Sequence, residues 1–177
     1  NIACLTADVA CAILPGATGG GLAVKAIERG VNTYGNTGSY VAKYGSDTAE
    51  ALAKISKDVE SKGIAGQNAR VTGTLKHSEF KNLVSKWSEE NKGSVIRTEQ
   101  SIDTLGNFVD GNPLGSVRPD VIEIGKDNIV KIYDLKTGNA QMNNKWMNTV
   151  EQRLMDTGKY DGVEFYRVKN GETVKIR

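Results

Sequence analysis

The chain has 177 residues, with 23 Lys and Arg against 21 Asp and Glu, three prolines and a single histidine. That length holds one compact domain or two small ones, and a net charge of +2 carries no strong basic footprint for nucleic acid. One imidazole, that of His77, excludes any mechanism that needs two, a two-histidine zinc site among them. Carboxylates and lysines must carry most of the chemistry of any enzyme built on this chain.

The chain opens on Asn1 rather than Met, as expected of a processed product or a piece excised from a longer protein. The most apolar stretch, Ile2 to Pro15, carries Asp8, is too short and polar to span a bilayer, and lacks the basic start of a signal peptide. On one straight helix the Cα atoms of Cys4 and Cys11 stand about 10.5 Å apart, beyond disulfide reach. Two buried thiols, or a bridge across a backbone that folds back, are the open alternatives. The run Gly16-Ala17-Thr18-Gly19-Gly20-Gly21 has no Gly-Lys-Ser/Thr ending and no clear preceding strand, so it reads as a turn rather than a phosphate loop. A helix is expected from Leu22 to Arg29, then a Gly/Tyr/Asn-rich stretch to Tyr44. A second helix is expected from the N-cap Ser46 to Lys62, closed by Gly63 and Gly66.

From Ala69 the grammar changes. Gly73 or Thr74 is the expected start of a helix reaching Asn91, with Leu75, Phe80, Leu83, Val84 and Trp87 on one face. Residues 94–101 read as a strand, followed by a loop containing Gly106, Gly111, Pro113 and Gly115. Residues 117–124 and 129–136 read as two strands joined by Gly125-Lys126-Asp127-Asn128, a hairpin signal. A helix over residues 139–156 repeats Met142, Trp146, Val150 and then Leu154 or Met155. Strands over 162–168 and 173–177 flank an Asn170-Gly171 turn. The expected class is therefore α/β with a mixed sheet, divided into an Ala/Gly-rich helical region over 1–68 and an α/β domain over 69–177.

The hairpin holds the sharpest chemistry. Residues two apart on a strand share a face, so Asp134 and Lys136 point the same way, with Val130 and Ile132, while Tyr133 and Leu135 take the other side. Asp120 on the partner strand offers a second carboxylate, whereas Glu123 alternates to the opposite face. Two carboxylates suit a hard divalent cation such as Mg²⁺ or Mn²⁺, completed by water and substrate phosphate. Lys136 beside them suits a role in orienting water or stabilising charge on phosphorus. Glu79, at the edge of the apolar face of its helix, is the expected third acid, and Glu99 a reserve. Residues 126–177 carry ten basic against seven acidic side chains, so Lys145, Arg153, Lys159, Arg167, Lys169, Lys175 and Arg177 are expected to form a phosphate-positioning surface.

Glu79 on a first helix, Pro119-Asp120 on a second strand and Asp134-Leu135-Lys136 on a third resemble the PD-(D/E)XK nuclease superfamily. The resemblance implies an αβββαβ core over 69–177, with Glu79, Asp120 and Asp134 as metal-binding acids and Lys136 as the catalytic lysine. It implies Mg²⁺, Mn²⁺ or Zn²⁺ as cofactor. The Ala/Gly-rich segment ahead of a small nuclease resembles the C-terminal toxin region of bacterial contact-dependent growth inhibition effectors. That resemblance implies export as part of a larger effector, a translocation role for 1–68 with an inner-membrane receptor, and killing in the target-cell cytoplasm. It also implies nucleic acid as substrate, tRNA ahead of DNA, and a cognate immunity protein. The rival expectation makes residues 1–68 a membrane-inserting or receptor-binding module with an inert α/β cap.

Overall fold

The computed structural model describes residues 39–177. Cys4, Cys11, the 16–21 glycine run and the helix expected at Leu22–Arg29 lie outside the described residues, as does most of the expected translocation region.

Among the described residues three helices come first: α1 (Tyr40–Tyr44), α2 (Thr48–Ser61) and α3 (Ala69–Glu90). Asp47, one residue after the expected Ser46, caps α2 by accepting from Glu50 N. Asn68 caps α3 by accepting from Val71 N, so α3 starts before the expected Gly73 or Thr74. Gly73 lies inside the helix, where a Cβ would stand 3.3 Å from Thr137 Oγ1. It allows α3 to pass close to the loop after the central strand.

The strands are β1 (Val95–Thr98), β2 (Ser101–Ile102), β3 (Phe108–Val109), β4 (Val121–Ile124) and β5 (Ile129–Leu135), followed by helix α4 (Asn144–Asp156) and strands β6 (Gly162–Lys169) and β7 (Glu172–Lys175). The expected strand over 94–101 is broken at Glu99, whose φ of 45° is left-handed and takes the chain out of the ladder. Beyond the break β2, which starts on the last residue of that expected strand, pairs with β3 in a separate two-stranded sheet that extends into the stretch expected to be loop. The helix expected from Asn139 begins instead at Asn144, where Asn143 accepts from Trp146 N and caps it.

The main sheet has the order β1-β4-β5-β6-β7. Every neighbouring pair is antiparallel except β5 with β6, which run parallel. α4 is the crossover that a parallel pair requires. Asn170 (φ 47°) and Gly171 (φ 89°) make the tight turn between β6 and β7, the left-handed geometry that an Asn-Gly pair favours.

Apolar residues divide by the parity of the strands. Val121, Tyr133, Leu135 and Val168 pack with Leu52, Ile55 and Val59 of α2 and Phe80, Val84 and Trp87 of α3. Ile122, Val130, Ile132 and Phe165 pack with Met147, Val150 and Leu154 of α4. The described residues thus form a mixed α/β structure with helices on both faces of a five-stranded sheet. Leu154 is fully buried and Met155 is exposed, which resolves the two alternatives on α4. Leu75, expected on the buried face of α3, is exposed at 43%.

The expected boundary at residues 68 and 69 does not separate compact units. Tyr40–Arg177 is one unit, because α2 supplies core residues to the sheet. Thr48 Oγ1 donates to Glu123 Oε1 at 2.9 Å, and Tyr133 OH donates to Glu123 Oε2 at 2.8 Å. Glu123 is therefore a buried acceptor that pins the start of α2 to the sheet. Gly171 N donates to Ser56 Oγ at 2.9 Å, tying the β6–β7 turn to the same helix. Among the described residues no helix is long and apolar enough to cross a membrane.

Candidate active site

The antiparallel register pairs Val121 with Tyr133 and Ile122 with Ile132. Extended by one residue it sets Asp120 opposite Asp134, where β4 and β5 meet the loops around Pro119 and Gly138. Lys136 carries on the line of β5, its N donating to Val168 O at 2.9 Å. Its side chain shares the face of Asp134, and the two form an ion pair. Three of the four expected site residues, Asp120, Asp134 and Lys136, are thus brought together.

Asp120 is held through both oxygens. Leu135 N donates to Oδ2 at 2.7 Å, and His77 Nδ1 lies 3.0 Å from Oδ1. The first bond locks the carboxylate to the backbone of the strand that carries Asp134. Asp134 is buried, 8% exposed, and sits across the strand pair from Asp120. Burial, then the charge of Asp120, push its pKa up to about 6 against the opposing pull of Lys136. Two carboxylates crowded into a site with too little positive charge prefer to share a proton or a cation. The Asp120 hydrogen bond raises the pKa of His77, with burial working against it.

Glu79 is not part of this group. It forms an ion pair with Lys62, in the connection between α2 and α3. Lys76, one turn earlier, pairs with Glu60 of α2. That edge of α3 faces α2, whereas Gly73, His77 and Lys81, four residues apart, line a cavity over the site. The signal for His77 was present in the sequence: the stripe Phe80, Val84, Trp87 runs back by three residues to position 77. Among the described residues no set of three His, Cys, Asp or Glu side chains is arranged to hold a metal ion. Glu99 pairs with Lys81 at 3.1 Å and borders the same cavity from the far side.

Two cavities flank the carboxylates. One, of about 480 Å³, is lined by Arg118, Asp134, Lys136, Asn143, Lys145, Trp146 and Thr149. The other, of about 580 Å³, lies under α3 and is lined by residues including Arg70, Thr74, His77, Lys81, Arg118 and Asp120. Arg118 borders both. The expected basic surface is not one face. Lys145 lines the first cavity, while Arg153 donates to the carbonyls of Ile102 and Gly115 and so serves as a structural tie. Lys175 pairs with Glu164 and Arg177 with Glu151. Arg167 and Lys169 border a separate groove beside Asn170 and Glu172.

The two carboxylates suit a hard cation that keeps several waters, as Mg²⁺ and Mn²⁺ do, better than zinc, which prefers imidazole and thiolate. No family model, curated protein or solved structure matches the chain, so the meaning of the site rests on its geometry.

Proposed function

We propose that the protein is a metal-dependent phosphodiesterase of the PD-(D/E)XK type, acting on nucleic acid. The observation that carries the reading is the Asp120–Asp134 pair with Lys136 on the same face, at the end of a hairpin and open to two cavities. The β4–β5–α4–β6 run and the placement of α3 over the strand end support an αβββαβ core of that type. The elevated proton affinity of Asp134 supports a cation-binding role, since a divalent ion relieves the same crowding that a proton relieves.

Asp120 and Asp134 would hold the cation, with Leu135 N and His77 fixing the direction of the Asp120 oxygens. A bound Mg²⁺ or Mn²⁺ supplies Lewis acidity toward a phosphoryl oxygen and lowers the pKa of bound water. The Lys136 ammonium orients the attacking water or offers a hydrogen bond to the charge that develops on phosphorus. Arg118 and Lys145 position the flanking phosphates. The scissile phosphodiester belongs to tRNA in preference to DNA, and the setting is that of the toxic C-terminal region of an exported bacterial effector. That setting brings an immunity protein as partner.

The test is cleavage of total tRNA and of plasmid DNA, each with Mg²⁺, Mn²⁺ or Zn²⁺ and then with chelator. Lys136→Ala and Asp134→Ala are expected to lose at least about 100-fold in rate while remaining folded by circular dichroism. Glu79→Gln is expected to stay within a few-fold of wild type. A folded Asp134→Ala protein that still cleaves would overturn the mechanism, and a Glu79→Gln protein as inactive as Lys136→Ala would restore Glu79 to the site.

A further inference from the structure

The large aromatic side chains of the described residues do different jobs. Trp87 is fully buried, its Nε1 donating to Gly45 O at 2.8 Å, and Tyr133 is buried with its hydroxyl on Glu123. Both are core. Trp146 is half-buried. It meets Phe165 at 6.1 Å between centroids and 70° between planes. It also lines the cavity that contains Asp134 and Lys136. On the same helix Met147, Val150 and Leu154 are buried in the core; the indole packs against that cluster with one part and borders the cavity with another.

We propose that Trp146 is the stacking platform for one unpaired base next to the phosphodiester that lies at Asp120 and Asp134. The proposal rests on the phosphodiesterase reading above and names the form of its substrate: a single-stranded or extruded nucleotide. A cavity of about 480 Å³ is in the range of small-ligand sites. Its polar wall is placed for a nucleotide, with Lys145 and Arg118 for phosphate and Asn143 and Thr149 for base or sugar edges. Thr149 is oriented by donating to Lys145 O at 2.9 Å. Arg118 borders both cavities, so a strand crossing from one to the other keeps its backbone beside a guanidinium as it passes the carboxylates. A base inside a duplex has both faces covered by its neighbours, whereas an unstacked base offers a free face to the indole. Such stacking is tolerant of base identity, so the wall selects for unpaired structure rather than for sequence.

The experiment uses the full chain with Lys136→Ala to block cleavage. Its ligands are a short single-stranded RNA, the DNA of the same sequence, the matching duplexes, and a series of single strands in which one base at a time is removed. The expected result is binding of a single strand with quenching of tryptophan emission that is absent when Trp146→Phe is added. Affinity for the duplex is at least about 10-fold weaker. Removal of one particular base costs about 10-fold, and that position-specific loss disappears in Trp146→Ala. Trp146→Phe keeps most of the affinity, because a phenyl ring still stacks. Unchanged affinity and an unchanged base-removal profile in Trp146→Ala would overturn the proposal, as would duplex binding equal to single-strand binding. Cleavage by a Trp146→Ala enzyme with its Lys136 intact would then leave the phosphodiesterase reading standing alone. If no strand binds and the wild-type chain cleaves nothing, both readings fall. The RNA and DNA arms identify which nucleic acid supplies the base.

Discussion

At the scale of the residue, the decisive fact is that Asp134 is buried against a second carboxylate. Its folded pKa stands near 6, above its ordinary value of 3.8, and that of His77 is also raised. A group whose folded pKa is raised binds its proton more tightly in the folded state, so stability falls as pH rises through the folded value. For Asp134 the loss begins as pH climbs past about 4 and is complete above about 6. For His77 it continues above 6.5, the ordinary histidine value. The metal-free protein is therefore expected to melt at a higher temperature at pH 5 than at pH 8, measured with chelator present. Asp134→Asn removes the buried charge and should flatten that decline without lowering the melting temperature at pH 8. A steep decline that persists in Asp134→Asn would assign the pH dependence to other groups. Added Mg²⁺ should stabilise the wild type more at pH 8 than at pH 5, because protons and the cation compete for the same oxygens.

At the scale of the element, the hairpin sets the site and the minor sheet braces it. Arg153 of α4 reaches the carbonyls of Ile102 and Gly115, which holds the β2–β3 segment against the helix that carries Trp146. The contact is close enough to exclude a side chain at Gly106, where a Cβ would stand 2.1 Å from Arg153 O and φ is +81°. Gly106→Ala is expected to cost more than about 1 kcal/mol through strain and displacement, read as a lower denaturant midpoint. A neutral Gly106→Ala would mean that the loop moves away from α4 freely. On α3 the division of labour follows helical spacing: positions 73, 77 and 81 face the cavity, while 76 and 79 pair with α2 and its following loop. Two residues along a helix turn a side chain by more than half a turn. That is why Glu79 and His77, so close in sequence, end in different surroundings.

At the scale of the whole molecule, α2 is a structural member of the α/β unit rather than part of a detachable leader. Leu52, Ile55 and Val59 are essentially fully buried, each worth about 2 kcal/mol of apolar burial. Glu123 would lose the Thr48 hydroxyl and gain an unsatisfied buried oxygen. A fragment of residues 40–177 is expected to fold with a cooperative melt and dispersed amide resonances. A fragment of residues 69–177 is expected to be unfolded or aggregated. A well-dispersed spectrum from the shorter fragment would return the boundary to residue 69.

Local chemistry by itself determined a good deal. Alternation along 129–136 assigned Asp134 and Lys136 to one face and Tyr133 to the other, and the hairpin signal at 125–128 set Asp120 across from them. These are nearest-neighbour properties of a pleated strand, and they survive any tertiary arrangement that keeps the hairpin. Helix ends and the broken strand were less legible. Asn68 and Asn143 win as caps over nearby candidates only once the backbone direction into each helix is known, and the left-handed Glu99 gives no compositional warning. The third partner of the site was only hinted at by the stripe that runs back to position 77, and the choice between His77 and Glu79 was made by tertiary structure. Both Glu79 and His77 stand beside the apolar stripe of α3. Which one meets Asp120 depends on how that helix is rolled against the sheet. That roll is set by the burial of Phe80, Val84 and Trp87 and by the ion pairs that draw Glu79 and Lys76 toward α2.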